Sequence, residues 1–150
     1  MEQQPDSPLK LDHFFCFQLY AASRALTTLY RPLLEPLGLT YPQYLVMVVL
    51  WKSASLNVKQ LGEKLFLDSG TLTPLLKKLE GQGLIVRQRS ATDERQVIIG
   101  LTAQGRALRQ RAESIPATLL CQLQMNEQEA GQFHQTIHAF LSGLNSQLTP

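Results

Sequence analysis

Between Leu56 and Thr102 the hydrophobic positions change their spacing, and each change predicts an element. Val58, Leu61 and Leu65 recur three and four residues apart, the period of one helix face. A break follows over residues 66–70. Leu72, Leu75, Leu76 and Leu79 then form the inner face of a second helix, which Gly81 and Gly83 stop. Residues 84–89 and 96–101 are short β-type runs around a polar turn at 90–95, the pattern of a hairpin. The outer face of the second helix carries Ser69, Thr73 and Lys77 one turn apart, with Thr71 and Lys78 alongside. Short hydroxyls and lysines on one exposed stripe suit phosphates and base edges in a major groove. The hairpin carries Arg87 on its first strand and Arg95 at its tip, where Asp93 is placed to orient it. The predicted fold is therefore mainly α with a small β-hairpin wing: a winged helix-turn-helix that reads double-stranded DNA. Pro74 falls inside the second helix and removes a backbone donor, so that helix either starts late or bends near its N-terminal end.

Around this centre the pattern is helical. Residues 1–11 read as a flexible polar tail. Asp12 is a plausible N-cap for a helix over 13–30, which Arg31-Pro32 ends or redirects. Residues 32–37 suggest a short helical turn closed by Gly38. Thr40 caps a helix over 41–53, with Pro42 tolerated in its first turn. Thr102 opens a further helix that bends near Pro116, and Asn126 with Glu129 starts a last one reaching about Gln147. The chain thus reads as one domain over 1–150. A DNA-reading region at 41–102 lies between helical arms at 12–37 and 103–147. Both arms are apolar on more than one face: Phe14, Phe15, Phe17 and Leu29 crowd the first, Phe133, Ile137, Phe140 and Leu144 the last. Helices of that kind are buried or find a partner, so a homodimer is expected. Two winged regions about one DNA turn apart would read a pseudo-palindromic operator.

Charge sharpens the picture. The 150 residues carry a net charge of only +2, which by itself does not argue for nucleic acid. Its distribution does: residues 57–111 hold about +5 and the remainder about −3. No segment has the roughly 18 consecutive apolar residues of a membrane span, and the N-terminus has no signal pattern. A cytoplasmic protein is expected, with no membrane partner. Two cysteines in such a chain are thiols, buried or redox-active, rather than a permanent disulfide.

Cys16 falls in the first turns of the first helix, where the helix dipole favours a thiolate. Tyr20 lies one turn further on. Tyr30 lies within about 40° of the same face, but about 21 Å along the axis, so it can touch Cys16 only from another subunit. The competing reading is a small buried residue packed among phenylalanines. His134 and His138 are one turn apart on the last helix without a third ligand nearby, so no metal site is expected. Nothing in the pattern calls for a cofactor. There is no phosphate-binding glycine loop and no supported nucleophile–base set, so the chain does not read as an enzyme.

Three segments carry a resemblance: LYAASRALTTLYRPLLEPLGLTYPQYLVMVVLW, FLDSGTLTPLLKKLE, and the wing element DER followed by LT. They resemble the MarR family of regulators, and more narrowly its organic-hydroperoxide-sensing branch, to which the F-C-F-x-L-Y and TYPQYLVM motifs point. The likeness runs from about Leu11 to the last helix. It implies that Cys16 is the peroxide sensor and that Tyr30 and Tyr41, with Tyr20 nearby, hydrogen-bond it across the dimer. It also implies that Cys121 is the resolving cysteine of a two-cysteine member, and that an organic hydroperoxide is the inducer. Two rivals remain. A repressor answering to a small phenolic ligand would share the fold and not need Cys16. A thiol peroxidase would use both cysteines and not need the winged region.

Overall fold

The computed structural model describes residues 9–149. A 3₁₀ turn over Leu11–His13 precedes helix α1 (Phe15–Leu34), and a second such turn, Glu35–Leu37, leads to α2 (Tyr41–Ser53). Then come β1 (Ser55–Asn57), α3 (Val58–Leu65), α4 (Ser69–Gly81), β2 (Ile85–Arg89), β3 (Val97–Leu101), α5 (Ala103–Ala112), α6 (Ile115–Gln122) and α7 (Glu127–Leu148). The described residues fall into two compact units that divide between Arg111 and Ala112.

Capping explains most helix starts. Thr40 accepts from the backbone N–H of Gln43, whose side chain accepts from the N–H of Thr40 in return, a reciprocal capping box. Asn57 with Gln60 and Asn126 with Glu129 repeat the arrangement at α3 and α7. Asp68 caps α4 by accepting from Thr71 N–H at 2.7 Å. Gly38 (φ +69°) closes the turn before α2 in the left-handed region that glycine adopts without strain.

Several expectations need correction. Asp12 does not cap α1: it lies within the 3₁₀ turn, and Phe14 occupies the N-cap position with no side-chain cap. Pro32 does not end α1, which runs on to Leu34. Its missing N–H orphans only the carbonyl of exposed Thr28, which water can satisfy. Pro74 does not delay α4, since the Asp68 cap starts that helix at Ser69. The orphaned acceptor there is Gly70, again exposed. Helices α5 and α6 are separated at residues 113–114, and Pro116 sits in the first turn of α6, where its lost donor costs nothing. Of the expected N-terminal tail, residues 1–8 lie outside the described residues.

The sheet has three strands rather than two. β3 is central, antiparallel to β2 through Ile85–Leu101 and Arg87–Ile99, and to β1 through Leu56–Ile99. In the first unit, Val46, Met47 and Leu50 of α2, Leu61 of α3, Leu72, Leu76 and Leu79 of α4, and Ile85 and Ile99 of the sheet are all but fully buried. Each such side chain contributes roughly 1.5–3 kcal/mol of burial. This core fixes α4 and the wing on one rigid support. In contrast, α7 buries no residue and α1 only Leu34. Phe14, Phe15, Phe17, Phe133, Phe140 and Leu144 are exposed.

Candidate functional site

The candidate DNA-contacting residues lie on α4 and the wing. Burial of Leu72, Leu76 and Leu79 turns the opposite face of α4 outward, so Ser69, Thr71, Thr73, Lys77 and Lys78 are all exposed. Thr73 Oγ1 donates to the carbonyl of Ser69 at 2.7 Å, one turn back. In the wing, Ser90 N–H donates to the carbonyl of Gln96, and Ser90 Oγ accepts from the N–H groups of Thr92 and Asp93. Asp93 Oδ1 accepts from the backbone N–H of Arg95 at 3.0 Å. Asp93 therefore fixes the turn that presents Arg95 rather than gripping its guanidinium. Arg95 is exposed at the tip. Asn57 Nδ2 donates to Gln96 Oε1 at 3.2 Å, tying the start of α3 to the root of the tip.

Arg87 is placed differently from the other cations. It forms an ion pair with Glu80 at the end of α4, so its charge is already matched. The pattern of the chain gave no hint of this partner, because the two residues lie on different elements with the turn at Gly81–Gly83 between them.

The second cluster surrounds the start of α2. The rings of Tyr30 and Tyr41 lie 4.5 Å apart, Tyr30 and Tyr44 5.9 Å, and Tyr41 and Tyr44 6.5 Å. Tyr44 meets Trp51 edge-on at 6.3 Å. Burial, and then the neighbouring tyrosines, push the Tyr30 hydroxyl up to about 12. Burial also raises Tyr41, and it raises Tyr44 with help from Tyr41. All three remain neutral hydroxyls, able to donate a hydrogen bond at physiological pH. Tyr44 was not singled out in the sequence, although its spacing of three from Tyr41 places both on one side of α2. Tyr20 is not part of this group: it is exposed, and the Arg24 guanidinium sits over its ring at 5.5 Å.

Cys16 is the second residue of α1 and is exposed, as is Cys121 on α6; neither is in a disulfide. Around Cys16 in sequence, Phe14, Phe15 and Phe17 are exposed too. The thiol therefore sits on an open apolar surface rather than in a packed core. His134 and His138 stack at 5.8 Å on exposed α7. No group of three or more His, Cys, Asp or Glu among the described residues is placed to hold a metal ion. No single described helix is long and apolar enough to cross a membrane.

A helix pair with an exposed hydroxyl-and-lysine face, followed by an arginine-tipped hairpin on the same core, defines a winged-helix transcriptional regulator. The family model described as transcriptional regulator SarA/Rot matches residues 28–111. The chain is 47% identical over 137 residues to the organic hydroperoxide resistance transcriptional regulator of Bacillus subtilis, a match covering 91% of this chain and 93% of that protein. It belongs to the MarR family of transcriptional regulators, in the organic hydroperoxide regulator branch. Its relatives are regulators rather than enzymes. Among solved structures it is similar to reduced AbfR bound to DNA, with a TM-score of 0.78 and 30% identity over 91% of this chain and 93% of that one. It is also similar to disulfide-formed AbfR, with a TM-score of 0.63 and 34% identity over 85% and 89%. AbfR is a protein of Staphylococcus epidermidis.

Proposed function

We propose that this chain is a homodimeric repressor that binds a pseudo-palindromic operator and leaves it when an organic hydroperoxide oxidises Cys16. The observation that carries this reading is the exposed Cys16 thiol at the start of α1, set among exposed phenylalanines in a chain whose other unit of chemistry is a DNA-reading wing. Ser69, Thr71, Thr73 and Lys77 enter the major groove, and Arg95 reaches the minor groove from the wing tip. Arg87 acts from behind, through Glu80. The exposed apolar faces of α1 and α7 form the dimer contact. Tyr30 and Tyr41 of one subunit donate hydrogen bonds to Cys16 of the other, which keeps the reacting sulfur and the peroxide in place.

The chemistry balances in two steps. The Cys16 thiolate attacks the terminal oxygen of the hydroperoxide, and the O–O bond breaks. The alkoxide leaves and takes up a proton to become an alcohol, while the sulfur becomes a sulfenic acid. The thiol of Cys121, from the partner subunit, then attacks the sulfenic sulfur; a disulfide forms and water leaves. Apolar side chains around Cys16 favour alkyl peroxides over hydrogen peroxide. Closing the disulfide requires Cα atoms within about 7 Å, so helices that start further apart must move and carry the winged regions with them. AbfR, solved both reduced on DNA and in a disulfide form, supports a fold that accommodates both states.

Titration of operator binding with cumene hydroperoxide tests the reading. Wild type is released, and Cys16→Ser stays bound at every peroxide concentration. Release of Cys16→Ser to the same extent would overturn the sensor and favour a ligand such as a small phenol.

A further inference from the structure

The geometry points to Trp51 as a positioning residue that couples the tyrosine cluster to the base of the wing. This rests on the reading of Cys16 as the peroxide sensor. Trp51 is the only tryptophan of the chain and sits in the last turn of α2. One edge of its indole meets Tyr44, the inner member of the cluster. Its Nε1–H donates to the carbonyl of Gly105 at 2.8 Å, a contact between residues 54 positions apart.

Gly105 belongs to a tight junction. Its N–H donates to Thr102 Oγ1 at 2.9 Å, and that hydroxyl donates to the carbonyl of Gly83 at 2.6 Å. Thr102 N–H donates to the carbonyl of Leu84. The backbone approach is so close that a Cβ on Gly105 would stand 2.0 Å from Leu84 O. The junction thus joins the end of α4, the start of β2, the end of β3 and the start of α5. Tyr44 in turn lies against Tyr30 and Tyr41, the rings tilted with centroids 5.9 and 6.5 Å away. A change in what the Tyr30 and Tyr41 hydroxyls hold shifts these rings, and through Tyr44 shifts Trp51. The indole N–H is a direct polar link from there to the wing base, and its partner cannot yield without moving the junction.

One neutral hydrogen bond changes an equilibrium constant by about two- to tenfold. A chain of contacts becomes coupling only when breaking a link alters the response. Trp51→Phe keeps an aromatic ring against Tyr44 and removes the donor. In the reduced dimer, its operator affinity and its rate of Cys16 sulfenate trapping with cumene hydroperoxide stay within about twofold of wild type. The loss of affinity on oxidation shrinks by about two- to tenfold. A full wild-type loss in Trp51→Phe overturns the proposal. So does slowed oxidation of Cys16, which would make Trp51 part of the sensor instead. A second readout needs no change at Trp51, because Trp51 is the only indole of the chain. Its emission shifts on oxidation in wild type and not in Cys16→Ser. Unchanged emission in oxidised, DNA-released wild type overturns the coupling. Release of Cys16→Ser by peroxide sinks the sensor reading, a different failure.

Discussion

The guanidinium of Arg87 closes on one carboxylate oxygen of Glu80, with Nε at 2.8 Å and Nη2 at 2.6 Å. The pair bridges the turn from α4 to β2 and sets how the wing leaves the reading helix. Arg95, at the other end of the wing, is exposed and supported only through its backbone. The two arginines therefore separate by role. Arg95→Ala is expected to cost on the order of 1–3 kcal/mol in operator affinity, measured by anisotropy of labelled DNA at physiological salt. Arg87→Ala costs less, because its charge is already matched and it acts only on wing placement. Wild-type affinity in Arg95→Ala would remove the wing from the interface.

The same helix is expected to carry a pH dependence. The hydrogen bond from Thr71 holds the Asp68 carboxyl below its usual range, and the Arg87 side chain does the same for Glu80. A depressed folded-state pKa contributes stability that is fully present above the unfolded value, about 4, and is lost as pH falls through the folded one. Acidification below about pH 4 should thus loosen the α4 region. Asp68→Asn keeps a good cap without a titrating group. Its urea midpoint should match wild type near neutrality and fall less steeply in acid. Parallel acid profiles for the two proteins would show that the Asp68 cap carries none of the dependence.

How much of this was legible depends on the range of the contact. The α3–α4 pair and the hairpin follow from local spacing, and so do the caps at Thr40 and Asn126. Each is set by residues within one turn of each other. β1 escaped notice because three residues, Ser55 to Asn57, are too few to show an alternation, and only pairing with β3 makes them a strand. The start of α1 was misplaced because Asp12 looks like a cap, whereas the chain spends it in a 3₁₀ turn. Glu80 and the Gly105 partner of Trp51 gain their contacts between elements, which no local period encodes, whereas the spacing of Tyr44 from Tyr41 did carry a signal. The roles proposed for Cys16, Cys121 and the tyrosines rest on family resemblance. Their spacing alone left packing and chemistry both open.

Two glycines mark where backbone passes too closely for a side chain. A Cβ on Gly62 would lie 2.6 Å from the carbonyl oxygen of Leu67, and one on Gly105 closer still to that of Leu84. Gly62→Ala is expected to destabilise by roughly 1–3 kcal/mol, and Gly105→Ala by at least as much, since backbone must shift in both. Gly81 has nothing within 4 Å of the added atom, so Gly81→Ala should stabilise by about 0.4–1 kcal/mol through the unfolded chain. Urea unfolding of the three variants checks the order. A neutral Gly105→Ala would mean that the wing junction is looser than its geometry implies.

The tyrosine hydroxyls are expected to act as neutral donors. With Tyr30 ionising only near 12, the rate of Cys16 oxidation should show no tyrosine ionisation step between about pH 7 and pH 10. Tyr30→Phe and Tyr41→Phe keep the ring contacts and remove one hydroxyl each. Both should slow sulfenate trapping at Cys16 while leaving the folded dimer intact by circular dichroism and gel filtration. Unchanged trapping in both variants would reduce the cluster to packing.

In the proposed mechanism, Cys121 is the thiol that turns the Cys16 sulfenic acid into a disulfide. It is exposed on α6, between buried Leu119 and half-buried Leu123. An exposed thiol is available for exchange, whereas one packed among leucines would be inert. Oxidised wild type is therefore expected to run as a covalent dimer on a non-reducing gel. Cys121→Ser should still form a sulfenic acid at Cys16, trapped by a dimedone probe, but no intersubunit bond. Without the second sulfur nothing pulls the helices together, so its release from DNA should be weaker. It should also reverse on adding reductant, unless a small thiol supplies the missing sulfur as a mixed disulfide. Adding such a thiol to peroxide-treated Cys121→Ser should accordingly restore release. A monomer band for oxidised wild type, together with identical release in Cys121→Ser, would leave Cys121 with no part in the response and make the sulfenic acid itself the signal.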